Sequence, residues 1–229
     1  MKLGIYGAGG LGREVYVLAQ QINHAAARWD EIFFIDDVTQ EQQVMGAKVV
    51  RYDDCPADCE VIIGIGEPVL REKLAHKVSA ARPLATLIHP DVFIPDNSQI
   101  GAGAIICTGN FISCNVVVGE NTLIQPRACV GHDCQIGSHS VISSMVTLAG
   151  ACVVGDRTFI GMNCCVKEKT RIGADAILGM GSAVFTDVTA ATIVLGNPAR
   201  AMRQNDSGKV FKLALAGSGI LIIWSYNNE

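Results

Sequence analysis

Residues 124–154 read IQPRACVGHDCQIGSHSVISSMVTLAGACVV. An aliphatic residue stands at every sixth position: Ile124, Val130, Ile136, Ile142, Leu148 and Val154. The beat continues outward in both directions, from Ile94 to Val184, over sixteen positions without a break. Four residues after each comes a small or slim side chain, among them Ala128, Cys134, Ser140, Cys152 and Cys164. Glycine directly follows the aliphatic residue in eight of the sixteen hexads, which rules out a chance pattern. A period of six matches neither a helix nor an alternating strand. It matches a β-helix with short flat faces, each pointing one aliphatic side chain inward. Three hexads would close one triangular coil, so residues 18 apart would stack at about 4.8 Å, the β-ladder spacing. Sixteen hexads then make about five coils. Glycine is expected to permit the tight corners. Cys134, Cys152 and Cys164 fall at the slim inward position, where a thiol serves as a small hydrophobe.

Upstream the pattern is different. Lys2–Tyr6, Ile32–Ile35 and Val61–Ile65 are short apolar runs, and 13–21 and 69–81 have helical character. Strands alternating with helices predict a small parallel α/β sheet. Gly7, Gly9 and Gly12 form G-x-G-x-x-G between the first strand and the first helix, and Asp36 closes the second strand. This is the Rossmann-like arrangement, in which a glycine turn at a helix N-terminus offers N–H groups to a phosphate. The same glycines also serve tight strand–helix packing, and Asp36 and Asp37 also serve simply to end a strand. The predicted organisation is an α/β domain over 1–85, a parallel β-helix of hexapeptide repeats over 90–203, and a tail over 204–229.

Composition narrows the function classes. The chain has 229 residues, 49% of them apolar and only 17% charged, which excludes intrinsic disorder. A net charge of −4 gives no electrostatic case for nucleic acid. Nine cysteines, an odd number, sit behind the start MKLGIYGAGG, which has no apolar leader core. The expectation is a reducing, cytoplasmic setting with free thiols. No run of 18 apolar residues suggests a membrane span; the nearest, Leu213 to Trp224, is short and carries glycines and a serine. Cys55 and Cys59 have a C-x-x-x-C spacing with no second Cys/His pair, so no metal is expected.

The hexads resemble the left-handed β-helix of hexapeptide-repeat acyltransferases. The stretch IGADAILGMGSAVFTDVTAATIVLGNPARAM resembles their closing coil and exit segment. YGAGGLGREV, FFIDD and IIGIGEPVLR resemble the N-terminal domain of one branch, the sialic acid O-acetyltransferase and nucleotide-sugar N-acetyltransferase family (NeuD-like). The resemblance spans about residues 2–203. It implies a homotrimer that moves acetyl from acetyl-CoA to an amine or hydroxyl of a sugar.

Within that frame His132, in VGHDCQIG, is the candidate general base, two residues past Val130 and so turned out of the coil near a corner. Imidazole is suited to taking a proton near pH 7. The family's H-D/E pair matches His132 and Asp133, with Asp133 orienting the ring. Eighteen residues on, Gly150 would lie beside His132 and leave room for a thioester. The resemblance puts Gly7, Ala8, Gly9, Asp36, Asp37 and Gly66 at the nucleotide and Gln125 near the acceptor. It puts Gly150, Met162, Gly179, Met180, Gly181 and Arg200 along the cofactor. Lys167, Lys169, Arg171, Arg200, Arg203, Lys209 and Lys212 gather seven of the 18 basic residues into 46 positions, suited to phosphates or to a solvated face. Two departures stand out. Val141 occupies the place of a second family histidine, and Gln125 replaces asparagine. His139 is expected on the surface. The hexad cysteines are expected to point inward, which favours direct attack over an acyl-enzyme. The predicted activity is N-acetylation of a nucleotide-linked amino sugar. Sugar O-acetylation is the alternative, and a non-catalytic β-helix scaffold is the less favoured one.

Overall fold

The computed structural model describes residues 1–210 together with the backbone of Leu213–Ala216 and Gly219–Ile222. It opens with β1 (Lys2–Tyr6), α1 (Gly10–Ala26) and β2 (Glu31–Ile35). A hairpin of β3 (Gln43–Val44) and β4 (Ala47–Val50) follows, then β5 (Cys59–Ile63) and α2 (Pro68–Ser79). The sheet order is β3-β4-β2-β1-β5, parallel except for the hairpin pair. The chain reverses its direction of travel across the sheet at β1, so the open crevice lies at the carboxyl end of that strand. The hairpin has no counterpart in the sequence expectation, because two-residue strands carry too little alternation to be seen.

From Leu87 the chain winds as a parallel β-helix with three faces. Two faces carry five two-residue strands each, and the third carries a longer stack. Registers run in steps of 18, as in Val117↔Gln135 and Leu123↔Val141, which is the three-hexad coil. The inward aliphatics Ile106, Ile112, Ile124, Val130, Ile136, Ile142, Leu148, Ile160 and Leu178 form one buried column of core. Cys134, Cys152 and Cys164 are fully buried in it. Slim hydroxyl residues in the same column satisfy themselves on the ladder: Ser140 Oγ donates to the Gly155 carbonyl at 2.9 Å and Thr122 Oγ1 to that of Gly137 at 2.9 Å.

The corners differ from expectation. The left-handed conformation recurs every six residues from Gly103 to Gly181, but most of these positions are not glycine: Asn115, Asn121, Asp133, His139, Arg157 and Asp175 all adopt it. The glycines that follow the aliphatic residue have another role. A Cβ at Gly119 would stand 2.5 Å from Ser138 N, and one at Gly155 2.4 Å from Ala174 N. Those glycines are required by the close approach of the next coil, not by φ. A second correction concerns the cysteines. Cys114 and Cys165 are exposed, because they lie outside the inward positions of their hexads.

The α/β sheet packs on one face of the β-helix. Outward residues Ile105, Leu123, Val141 and Phe159 are buried with Leu3, Val15, Leu18 and Ile22 in a common apolar cluster. At the adjoining corner the Arg71 side chain is wholly buried. Its Nη1 donates to the carbonyls of Ile63 (2.8 Å) and Ile65 (2.7 Å). Its Nε and Nη2 donate to the carbonyl of Asn121 at 3.0 and 2.7 Å. Burial lowers the guanidinium pKa to about 9, so it remains charged at neutral pH. Arg157 ties the next coils to α2, with paired bonds to Asp175 (2.7 and 2.9 Å) and one to Glu72 (2.8 Å).

His139 is therefore not on the surface. It is 6% exposed, because α2 crosses its corner. Its ring meets His76 edge-on at 5.7 Å, and Asn121 Nδ2 lies 3.1 Å from its Nδ1. The last strands Thr192–Leu195 and Arg200–Gln204 close the stack in antiparallel register. Beyond them Leu213–Ala216 pairs antiparallel with Gly219–Ile222. Lys212 and Trp224 lie outside the described residues.

Burial holds His139 below the ordinary histidine pKa of 6.5, partly opposed by the charges of Glu72 and Glu120. A depressed histidine leaves stability untouched above that value. Below it the unfolded chain takes up the proton first, so stability falls as pH falls, by at most about 1.4 kcal/mol per pH unit for one group. Denaturant unfolding between pH 7.5 and 5.5 will show this slope. In His139→Asn the slope will be shallower; an identical slope would exclude His139 as its source.

Candidate active site

The strand Cys129–Val130 ends one face of the β-helix, and Gln135–Ile136 begins the next. Between them the chain turns through Gly131, His132 and Asp133, with Asp133 in the left-handed conformation at φ 60°. That turn throws both side chains outward; they are 62% and 50% exposed. His132 Nδ1 lies 2.7 Å from Asp133 Oδ2. A carboxylate at Nδ1 selects the tautomer protonated there and leaves Nε2 as the free acceptor. The bonds from His132 and Asn115 hold the Asp133 carboxyl below the ordinary carboxylate range, so it stays ionised.

The coil register adds Gly150. A Cβ placed there would stand 2.4 Å from His132 Nε2 and 2.6 Å from Cε1. The ring thus lies over the glycine, and its acceptor nitrogen faces the space that any side chain at position 150 would fill. In the other direction Cys114 occupies the same column, and its carbonyl accepts the Asp133 N–H at 3.0 Å. Its sulfur takes a long contact of 4.0 Å from Ser113 Oγ.

The nucleotide candidates gather elsewhere, at the carboxyl edge of the α/β sheet. Gly7 has φ 112°, and a Cβ at Gly12 would stand 1.8 Å from the Gly7 carbonyl oxygen, so these two glycines are required by packing. Gly9 and Gly10 face open space at the start of α1. Asp36 accepts from Ala8 N at 3.0 Å and from the N–H groups of Val38 and Thr39 at 2.9 and 3.0 Å. A cleft of about 290 Å³ opens beside it, lined by Thr39, Gln42, Val49, Arg51 and Asp54. Gly66 lies in the loop after β5, on the same edge. Asp37 is committed internally: it accepts from Tyr6 Oη, from Tyr52 N at 2.9 Å and from Lys77 Nζ at 3.1 Å. A larger cleft of about 370 Å³ lies at the other end of the sheet, around Tyr16, Asn23, Trp29 and Glu31, and holds none of these residues.

Gln125, Met162, Gly179, Met180 and Gly181 occupy a second corner of the β-helix, where Met162 and Met180 stack one coil apart and the Gly181 N–H bonds the Met162 carbonyl at 2.8 Å. Ala8 and Leu11 pack in the same apolar cluster as Leu123 and Cys107, which brings the glycine loop to the strands leading into this corner. The His132 corner is the next one, beyond the face that carries Phe111, Cys129, Thr147 and Cys165. Within one chain the dyad and Gly150 stand together, while Gln125 and the methionines stand across a face from them. Lys167 and Lys169 are exposed on the His132 corner, and Arg171, Arg200, Arg203 and Lys209 are exposed further along. Among the described residues no three His, Cys, Asp or Glu side chains gather as a metal site requires. Among the same residues no helix is long and apolar enough to cross a membrane. Sequence reasoning missed Asn115, which donates to Asp133 Oδ1 at 2.9 Å, although subtracting 18 from 133 finds it.

Comparison with known proteins agrees with this architecture. Residues 2–78 match the PglD N-terminal domain, and residues 115–150 match the bacterial transferase hexapeptide (six repeats). GDP-perosamine N-acetyltransferase from Escherichia coli O157:H7 is 32% identical over 51% of this chain and 56% of its own length. The likeness therefore spans little more than half of that relative. PerB from Caulobacter crescentus, solved in complex with CoA and GDP-perosamine, superposes with a TM-score of 0.81 at 26% identity, over 89% of this chain and 98% of that one. WeeI from Acinetobacter baumannii AYE superposes with a TM-score of 0.82 at 30% identity, over 88% of this chain and 100% of that one. The chain belongs to the hexapeptide-repeat acyltransferases that carry a PglD-type N-terminal domain, the family its motifs resemble.

Proposed function

We propose that this protein transfers acetyl from acetyl-CoA to the amine of a nucleotide-linked amino sugar, with His132 as the general base. The single observation that carries the proposal is the His132–Asp133 pair set over Gly150, with Nε2 free and unobstructed. The name of the Escherichia coli relative, GDP-perosamine N-acetyltransferase, and the CoA and GDP-perosamine bound to PerB support the substrate class.

The chemistry follows from the free nitrogen. The amine attacks the thioester carbonyl carbon, a C–N bond forms and the C–S bond breaks. His132 Nε2 takes the proton that the attacking nitrogen must shed. The imidazolium, stabilised by ionised Asp133, returns that proton to the departing CoA thiolate. No acyl-enzyme is required. Cys114 is exposed in the same column, but its sulfur meets Ser113 Oγ rather than the imidazole, which favours direct attack. The nucleotide is assigned to the crevice at Gly7, Ala8, Gly9, Asp36 and Gly66, where N–H groups at the start of α1 suit a diphosphate. Asp37 stays in this assignment beside Asp36: its carboxylate accepts from Tyr6, Tyr52 and Lys77, which fix its orientation, and its side chain is still 39% exposed.

The separation of the dyad from Gln125, Met162 and Met180 supports a site shared between copies. Phe111, Met145, Met162 and Phe185 are exposed at 59%, 47%, 41% and 57% on one face and its flanking corners. A second copy covering that face would bury them and bring one chain's second corner toward the next chain's dyad. Three copies arranged in a ring would cover three such faces.

These statements have direct tests. With acetyl-CoA and GDP-perosamine, His132→Ala will lose about 10²–10⁴-fold in kcat, as removal of a general base does. Cys114→Ala, the control for a covalent route, will keep its turnover. Full activity in His132→Ala would end the proposal, and a product labile to hydroxylamine would mark an ester in place of an amide. Gly150→Ala will displace the ring and cost about 10²-fold, the usual effect of a 1 Å misplacement, without lowering the melting temperature by more than a few degrees. Light scattering will give a mass three times 24.3 kDa. A fully active particle of 24.3 kDa would exclude the shared site.

A further inference from the structure

The corner that holds the dyad carries a column of polar residues 18 apart, Asn97, Asn115 and Asp133. Asn97 Nδ2 donates to Asn115 Oδ1 at 2.8 Å. Asn115 Nδ2 donates to Asp133 Oδ1 at 2.9 Å. Asp133 Oδ2 then faces His132 Nδ1 at 2.7 Å. The column stops there, because the next residues in the series are Ala151 and Lys169. We propose that Asn115 is a positioning residue for acetyl transfer, holding the Asp133 carboxylate in the rotamer that orients His132, with Asn97 setting the direction of the Asn115 amide. The inference rests on His132 being the base.

An aspartate carboxyl rotates broadly about its last bond. With one oxygen tied to Asn115 and the other to His132, the plane of the group is defined at both ends. The amide is polar along its length, so occupation of its oxygen by Asn97 turns its N–H toward the carboxylate. Every donor in the column then points the same way, toward Asp133, and such chains polarise one another. Asn115 and Asp133 both adopt the left-handed corner, at φ 57° and 60°, a conformation that Asn and Asp tolerate better than most residues. The corner geometry that aims Asp133 at His132 is therefore the same geometry that aims Asn115 at Asp133. An asparagine ladder also staples coils together, and a pure staple would act on stability alone. The difference here is its terminus, a carboxylate already engaged with an imidazole.

The test separates the two roles. Asn115→Gly keeps the positive φ and removes the amide. It will lower kcat about 3–10-fold, the loss of one exposed charge-assisted hydrogen bond, with the KM for acetyl-CoA unchanged. In a His132→Ala background the same substitution will cost nothing further, because the amide acts through the histidine. Asn115→Asp keeps the shape and places a second carboxylate beside the first. The acid limb of its kcat–pH profile will move to higher pH, against a background of Lys167, Glu168 and Lys169 further along the same corner. Full turnover in Asn115→Gly, equal losses in both backgrounds, or an unmoved acid limb would each overturn the positioning role while His132 remains the base. Wild-type turnover in His132→Ala itself would overturn both, and so marks failure of the underlying assignment.

Discussion

Everything in this molecule depends on the 18-residue register of the parallel ladder. Once three hexads close a coil, each residue's neighbour along the stack is fixed by arithmetic, at a spacing near 4.8 Å. That constraint allows only certain residues at certain places. Inward positions must be aliphatic or slim, with any hydroxyl satisfied on a carbonyl of the adjoining ladder, as at Thr122 and Ser140. The position after the aliphatic residue approaches the next coil so closely that a side chain there often has no room. The corner residue must turn left-handed, and its N–H then bonds one coil back, as Asp133 N does to the Cys114 carbonyl. The proposed site borrows this frame. Gly150 is opposite His132, and Asn115 is opposite Asp133, because both pairs differ by 18.

The α/β part is joined to this frame by an unusual polar element. Arg71 is wholly buried, and its guanidinium donates to carbonyl and amide oxygens, with no carboxylate among its hydrogen-bond partners in the described residues. A buried charge without its bonds is costly, and breaking such an arrangement removes about 3–5 kcal/mol. What it provides is direction: one guanidinium reads the carbonyls of Ile63 and Ile65 at the end of β5 and that of Asn121 at a β-helix corner. An apolar contact alone would permit sliding. The bond set orients the carboxyl edge of the sheet, where the glycine loop lies, relative to the coils.

The parts of this arrangement that were legible in the sequence are the periodic ones. Sixteen aliphatic residues in step predict the β-helix and its register, and the register in turn predicts that Gly150 lies against His132. The glycines were legible as corner residues but not in their mechanism, since composition does not separate a required φ from a forbidden Cβ. The burial of His139 is not legible in the sequence, because its surroundings are not periodic. The element that buries it, α2, comes from some sixty residues earlier and leaves no mark on the hexads. Asp37 looked like a twin of Asp36 in FFIDD, yet it faces Tyr6, Tyr52 and Lys77, partners scattered over the domain. Asn115 follows from the same 18-residue step that places Gly150, but it flanks no motif that would draw attention to it.

The corner also accounts for how a solenoid would suit the proposed chemistry. A base that is half exposed on a single chain works poorly in open water, where charges on the reacting groups are screened and proton transfers leak. A flat face bears exposed Phe111, with exposed Met145, Met162 and Phe185 at its edges, and in the proposed assembly another copy covers it. Covering that face would exclude water from one side of the dyad without inserting any residue at Gly150, because the ladder keeps the acceptor nitrogen of His132 turned along the stack toward the glycine. The coil thus separates two requirements that compete in a globular pocket. In the proposed assembly enclosure would come from the face, through association, and access from the corner, through a missing side chain.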